Sequence, residues 1–357
     1  MKILAIETSC DETAASIISI EDNKLSVNSN IISSQVELHA QWGGVVPNLA
    51  AREHTKNIIP VITESLETAK ASKKDVDLIA VTHGPGLIPA LLSGVSASKS
   101  LAFAWKKPLI GIHHIEGHIY ANWISNPDIK FPALALVVSG GHTQLVLMKK
   151  HCTYEIIGQT QDDAVGEAFD KVARILDLGY PGGPIISERA ALFTQVGTLN
   201  DITLPQPMKN SGDYNFSFSG IKTAVLYLVK NFREENNLSP DDKLPQDFID
   251  AVAHAFQTAS VEVLTAKTTK AAVEYDVKSI LLAGGVSANI QLRDVLKQET
   301  SHLTDVTFHA PSMEYCLDNA AMIAVAAHYR YTTLIQKEKI LLKYGWRTVA
   351  AKASRKI

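Results

Sequence analysis

Cysteine is scarce in this chain. Three residues, Cys10, Cys152 and Cys316, spread over 357 positions, are odd in number and far apart. That argues against a secreted disulfide framework and against a cysteine-rich zinc module, and it fits a reducing, cytoplasmic setting. Long apolar runs are missing as well: none reaches the ~18 residues that mark a membrane-crossing helix. The opening stretch MKILAIETSCDET has only Lys2 ahead of a short window interrupted by Glu7, too polar for a secretory leader. The expectation is a protein with no membrane partner. Charge of one sign is also lacking. With 34 basic and 37 acidic side chains the formal charge is −3, so any contact with a polyanion must come from a local patch. Three nucleotide or metal signatures are absent too: no GxxxxGK[ST], no GxGxxG after a first strand, and no HExxH or HxxEH order. P-loop, Rossmann and zincin-type protease readings are thereby disfavoured.

At about 150 residues per domain the length leads to an expectation of two domains. Apolar runs bounded by Gly, Pro or Asn predict strands at 2–8, 15–20, 25–35, 78–86, 108–112, 133–141, 142–150, 154–160, 279–287 and 306–310. Three- and four-residue apolar spacing predicts helices at 48–69, 87–106, 164–178, 219–234, 245–274, 288–299 and 317–335. The mixture reads as α/β with mixed sheets. A strand, a tight turn and a returning strand occur at 2–20 and again at 133–148, which suggests two similar lobes. The expected division is a first lobe 1–120 joined by helix 317–335, a second lobe 121–316 and a basic tail 336–357. An irregular insertion is expected at 194–217, where Gly, Pro, Asn and Asp accumulate without periodicity. The tail carries seven basic residues from Lys337 to Lys356 with Tyr344 and Trp346 among them. It reads either as a solvated end or as an RNA contact in which those rings stack on bases.

In GIHHIEGHIYA, His114 and His118 stand four apart, on one face if the stretch is helical, which is metal-ligand spacing. Core or capping histidines are the plain alternative. Asp318, in YCLDNAAMIA, is a third ligand candidate whose ordinary role would be to cap the helix that follows. Glu116 sits between the two histidines and not directly after the first, so a protease would lack its general base. The small-residue turns SCDET, VSGGHT and LLAGGVSAN each follow an apolar run. Backbone N–H groups there can approach a phosphate, although each turn alone could simply use glycine for its geometry. In DDAVGEAFDKVARILDLGYPGGP, Asp170 can face a ribose while Gly182 and Gly183 allow close backbone contact. Helix-surface ion pairs such as Glu167 with Lys171 explain the same charges equally well. HAQWGGVVPNLAAREH is explained by structure alone.

Read in chain order, AIETSCDET, HAQWGGVVPNLAAREH, HGPGLIPALLSG, HHIEGH, VVSGGHTQL, DDAVGEAFDKVARIL with YPGGP, FSFSGIKTAV, LLAGGVSAN and YCLDNAAMIA resemble the bacterial TsaD family (YgjD, formerly Gcp) from about residue 1 to residue 335. These are tRNA N6-adenosine threonylcarbamoyltransferases. The resemblance implies a two-lobed actin, sugar-kinase and hexokinase (ASKHA) fold with a nucleotide cleft between lobes. It implies transfer of threonylcarbamoyl from threonylcarbamoyl-adenylate to N6 of the adenosine 3′ of the anticodon in tRNAs that read ANN codons, with release of AMP. An older reading as a metalloendopeptidase, and a non-catalytic nucleotide-binding scaffold, are the alternatives. The family's metal ligands fall on His114, His118 and Asp318, for one divalent ion, iron(II) ahead of zinc. Its contacts to the adenylate fall on Val137, Val138, Ser139, Gly140, Gly141, Asp170, Gly183 and Asn289. Ser187 stands where many members carry an acidic residue. A group must take the N6 proton, and Asp11, Glu12 and His142 are the candidates. Partners implied are tRNA, a TsaB-like paralogue and a TsaE-like ATPase. The paralogue is expected to meet Ala50, Ala51, Leu91, Leu92, Ser93 and Ala97 of the helices 48–69 and 87–106.

Overall fold

A computed structural model of the chain describes residues 1–22, 24–193, 202–354 and 357. Its elements begin with β1 (Lys2–Glu7), β2 (Glu12–Glu21), β3 (Lys24–Ser34), α1 (Val36–Ala40), α2 (Pro47–Thr68), β4 (Leu78–Gly84), α3 (Ile88–Trp105), β5 (Leu109–His113), α4 (His114–Tyr120) and α5 (Asn122–Ser125). There follow β6 (Ala133–Val138), β7 (Thr143–Lys150), β8 (Thr153–Gln159), α6 (Val165–Ile175), α7 (Gly182–Leu192), α8 (Ser219–Glu235) and α9 (Gln246–Glu274). The last are β9 (Ser279–Ala283), α10 (Ile290–Ser301), β10 (Thr307–His309), α11 (Ala320–Thr333), α12 (Gln336–Leu341) and α13 (Gly345–Thr348). Two compact units result. One holds Met1–Ile129, Met148–Tyr154 and Pro311–Ile357, the other Lys130–Leu147 and Glu155–Ala310.

The first unit is built on a five-stranded sheet of order β3-β2-β1-β4-β5. β1 pairs antiparallel with β2, Leu4 opposite Ile17, and parallel with β4, Leu4 opposite Ile79. Because side chains alternate along a strand, Leu4 and Ile6 share one face, where they pack with Ile58 and Ile62 of α2 and Val95 of α3. Ile3 and Ala5 point to the other face, and α11 lies against β1 and β2 with the run Ala320–Ala327 fully buried. Alanine leaves the helix room to come close. The unit runs past the division expected at 120 and takes in the tip of the β7–β8 hairpin, where His151 stacks on Tyr329 with ring centroids 4.1 Å apart.

The second unit repeats the plan. Its sheet has the order β8-β7-β6-β9-β10, with β6 parallel to β9 and β9 parallel to β10. The short Ser139–His142 connection between β6 and β7 permits only an antiparallel pair. The two hairpins of similar sequence are thus β1–β2 and β6–β7, each at the same place in a sheet of the same order.

Three expectations need correction. α7 was not anticipated, since Gly182 and Gly183 stood out only for close backbone contact; Pro184 is tolerated because the first helical turn has no N–H bond to lose. The predicted strand 279–287 stops at Ala283, where Gly284 takes a positive φ of 89° and lies so close to β6 that a Cβ would stand 2.4 Å from the Val138 oxygen. The tail is not a loose end: it forms α12 and α13, and Trp346, Val349 and Ala351 pack on the first unit's core. Trp346 meets Phe103 edge-on at 4.9 Å, so part of its ring is engaged in packing. Of the expected insertion, 194–201 lies outside the described residues, as do Arg355 and Lys356 of the tail; 202–217 contains no helix or strand. Among the described residues no helix is long and apolar enough to cross a membrane.

Candidate active site

In the first unit three chain segments converge. β5 delivers the chain into α4, capped by the His113 side chain, which accepts from the Ile115 N–H at 3.2 Å. Helical spacing then places His114 and His118 on one face, with ring centroids 4.6 Å apart. Gly117 lets this helix approach α11: a Cβ there would meet Ile323 at 2.6 Å. The cap of α11 is Asn319, whose side chain accepts from the Met322 N–H at 3.0 Å, so Asp318 does not serve as the cap that its position suggested. Its carboxylate faces the histidines instead. One Asp318 oxygen is 3.0 Å from His118 Nε2 and 3.5 Å from His114 Nε2.

These three side chains fit a divalent ion by geometry and by donor type. One ligand atom from each lies within 4.8 Å of the others, and two imidazoles with a carboxylate leave further coordination positions open. On its other nitrogen, His114 Nδ1 lies 3.2 Å from Glu7 Oε2 and 3.1 Å from Ser9 Oγ. That arrangement orients the ring and fixes which nitrogen is left for Asp318 or a metal. Burial alone would lower the His114 imidazole, but Asp318 and Glu7 outweigh it and raise the group to about 9. Neither Glu7 nor Ser9 was picked out from the sequence; the available signal was an acidic residue directly after the apolar run Ile3–Ile6.

The β1–β2 turn contributes Asp11 and Glu12. Burial, then the negative charges of Asp318 and Asp11, push the Glu12 carboxyl well above the usual carboxylate range. Cys10, in the same turn, is driven upward by burial and by Asp11. A buried chain of polar groups supports this turn from behind: the Gln35 N–H donates to the Asp11 oxygen at 3.1 Å, and His54 bonds Thr13 Oγ1 at 2.8 Å and the Cys10 oxygen at 3.0 Å. Burial lowers the His54 imidazole, consistent with a neutral structural role.

Glu116, between the two histidines, is engaged elsewhere. Arg330 grips it with contacts of 2.7 to 3.1 Å, and the Tyr154 hydroxyl donates to it at 2.6 Å. A peptidase would have no general base at this position.

The second unit gathers the remaining candidates. Val137 and Val138 end β6, and the Ser139–His142 turn is closed by the Ser139 N–H donating to the His142 oxygen at 2.8 Å. Gly166 at the start of α6 lies against it, since a Cβ there would stand 2.7 Å from the Ser139 oxygen, while around Gly140 and Gly141 a Cβ would meet nothing within 4 Å. Asp170 accepts from the Gly182 N–H at 2.7 Å, fixing the start of α7; burial raises its carboxyl despite that bond and one from Gly183. Ser187, on α7, donates to Gln257 Oε1 at 2.8 Å, and Asn289 donates to Ser187 Oγ at 2.9 Å and to Gln257 at 2.7 Å. Asn289 also caps α10. Gln257 had no sequence signal. His142 belongs to this unit, whereas Asp11 and Glu12 belong to the first.

The fold and these sites define an α/β protein of the ASKHA class, its two units carrying sheets of identical order. Solved structures of this fold include full-length HypF in its phosphate- and nucleotide-bound form, at a TM-score of 0.60 and 12% identity over 94% of this chain and 56% of that one. Another is the activator of the 2-hydroxyisocaproyl-CoA dehydratase from Clostridium difficile, at 0.50 and 11% over 95% and 98%. Sequence narrows the class. The family profile described as "TsaD: tRNA N6-adenosine threonylcarbamoyltransferase" matches residues 26–325. A tRNA N6-adenosine threonylcarbamoyltransferase of Bacillus subtilis (strain 168) is 50% identical over 327 residues, 91% of this chain and 89% of the relative. One of Staphylococcus aureus (strain MRSA252) is 49% identical over 330 residues, 92% and 91%. The chain belongs to the tRNA N6-adenosine threonylcarbamoyltransferase family.

Proposed function

We propose that this chain transfers a threonylcarbamoyl group from threonylcarbamoyl-adenylate to N6 of the adenosine 3′ of the anticodon in tRNAs that read ANN codons. AMP leaves. Family membership carries this reading, and the His114, His118 and Asp318 constellation is the local feature that supports it. The donor is a mixed carbamic–phosphoric anhydride, already activated, so the protein's task is orientation and charge stabilisation. N6 attacks the carbamoyl carbon, the bond to the phosphate oxygen breaks, and the N6 proton passes to a base. The Asp11 and Glu12 pair is favoured over His142 for that role, because both belong to the first unit with Asp318, and burial beside Asp318 raises the Glu12 carboxyl, so that its ionised form is a stronger proton acceptor.

The adenylate is assigned to the second unit. Val137, Val138, Ser139, Gly140 and Gly141 would line its phosphate, with the N–H groups of Gly140 and Gly141 as donors, and Asp170, Gly183, Ser187 and Asn289 would hold its nucleoside. His114, His118 and Asp318 would hold one divalent ion, iron(II) or zinc, which when bound supplies a Lewis-acid anchor for the threonylcarbamoyl group. A TsaB-like paralogue and a TsaE-like ATPase are the proposed protein partners, in the cytoplasm. Ala50 and Leu91 are fully buried, so they pack the first unit internally; Leu92, at 49% exposure, and Ile59, at 59%, are the residues the α2 and α3 face offers a paralogue. The test is to incubate the chain with tRNA, ATP, threonine, bicarbonate, an adenylate synthase and the partners, then digest the tRNA. The threonylcarbamoylated nucleoside should form. Its absence from every digest would reject the reading.

A further inference from the structure

The C-terminal residues beyond the matched family profile form a strap across the first unit, and its contacts lead to a proposed ligand. At its root Gly345 is pressed against β5, where a Cβ would stand 2.1 Å from the Leu109 oxygen. Trp346 then packs on Phe103 of α3, with Arg347 over the Trp346 ring at 4.6 Å, and Lys99 of α3 donates to the Val349 oxygen at 3.2 Å. Beyond that point the chain runs beside the turn that ends β4. The Lys352 N–H donates to the His83 oxygen at 2.8 Å, and the Gly86 N–H donates to the Ala353 oxygen at 3.2 Å. Gly84, with φ of 147°, approaches the strap so closely that a Cβ would stand 2.2 Å from the Lys352 oxygen.

The same turn rests on Ser9. Gly86 is packed against it, a Cβ there falling 2.6 Å from the Ser9 oxygen, and the Leu87 N–H donates to that oxygen at 2.8 Å. Ser9 in turn places its Oγ 3.1 Å from His114 Nδ1 and donates its N–H to Glu7 Oε1 at 2.5 Å, while Thr82 of β4 donates to Glu7 Oε2 at 2.5 Å. Both groups that face His114 Nδ1 are therefore held from the β4 side.

We propose that the strap Gly345–Ala353 is a positioning element for His114: by clamping the Gly84–Gly86 turn onto Ser9 it fixes the ring orientation that presents Nε2 beside Asp318. The inference rests on reading His114 as a metal ligand. Outer groups of this kind set metal affinity because they hold the ligand ring in place and choose its tautomer.

Cobalt(II) is the probe, since its visible absorption bands report donor geometry without any turnover. Two variants of the full chain release the strap differently. Lys352→Pro removes a single N–H from an exposed residue, and truncation after Tyr344 removes the strap entirely. Each should bind cobalt about tenfold more weakly than the parent and with altered bands, at a temperature where circular dichroism shows both folded. A synthetic 345–357 peptide should restore the bands of the truncated chain. Should truncation prevent folding, Lys352→Pro decides alone. Unchanged affinity and bands in the folded variants would overturn the proposal. His118→Ala separates the two levels: if it binds cobalt like the parent, the metal reading beneath the proposal fails, whereas loss in His118→Ala with no effect of strap release refutes the strap alone.

Discussion

On α4, Glu116 and His118 stand on the same short helix and do unrelated things. Glu116 is buried and bonded to Arg330 and Tyr154, so Glu116→Gln leaves a guanidinium facing a neutral amide and should destabilise the fold by about 3 kcal/mol, read as a lowered urea midpoint. The variant should bind a divalent ion as well as the parent does. If Glu116→Gln lost metal in step with stability, the separation of the two roles drawn here would be wrong. His118→Ala should do the reverse, with metal content falling sharply. The proximity of His114 and His118 was legible in the sequence because they are four residues apart and helical geometry alone makes them neighbours. Asp318 was legible as a third candidate, but with an equally ordinary role as a helix cap, and its neighbour Asn319 takes that cap. Glu7 and Ser9 were not legible, since they meet His114 across more than a hundred residues of chain and only the pairing of β1 with β4, and of β4 with β5, brings them there. The same holds for Gln257, which joins Ser187 to Asn289 from the middle of α9.

Between elements, charge and close backbone approach set the joints. Asp163 lies ahead of α6 and receives Lys171 of α6 at 2.7 Å and Lys222 of α8 at 3.0 Å. Burial would raise its carboxyl, but the two ammonium groups outweigh burial and hold it below the ordinary value. The sign follows from linkage. A carboxyl depressed in the folded state stabilises above the unfolded pKa of about 3.9, and that contribution is lost as pH falls through the folded value. Asp163→Asn should therefore lower stability at pH 7 by about 1 to 2 kcal/mol and flatten the loss of stability below about pH 4. Parallel acid-unfolding curves for the two proteins would contradict this. Gly158 in β8 makes a second joint, for a Cβ there would stand 2.0 Å from the Tyr214 backbone oxygen. Gly158→Ala must push the strand from the 214–216 segment, and a fall of several degrees in melting temperature is the expected outcome; an unchanged melting point would mean that this approach is not required. Long periodic helices and buried strands were legible because their apolar spacing is repeated over many residues. α7 escaped because its opening residues, Gly182, Gly183 and Pro184, are breakers in a helix interior and acceptable only in a first turn.

For the whole molecule, the repeat of the hairpins at 2–20 and 133–148 anticipated a doubled architecture, and the two sheets share one strand order. The docking of the tail was missed for a physical reason: Lys337, Lys343, Arg347 and Lys352 are exposed, while Trp346, Val349 and Ala351, few and unevenly spaced, supply the contacts that dock it. Charge was the visible feature, packing the decisive one. The central claim concerns the reaction, and one measurement addresses it directly. Threonylcarbamoyl-adenylate labelled in its threonine carbon is supplied ready-made with tRNA and the partner proteins, with and without this chain, and the label is followed into the digested tRNA together with released AMP. The account predicts that label appears on N6 of one adenosine, equimolar with AMP, only when the chain is present, and that His118→Ala largely abolishes it. Equal labelling without the chain, or AMP released with no label on adenosine, would contradict it.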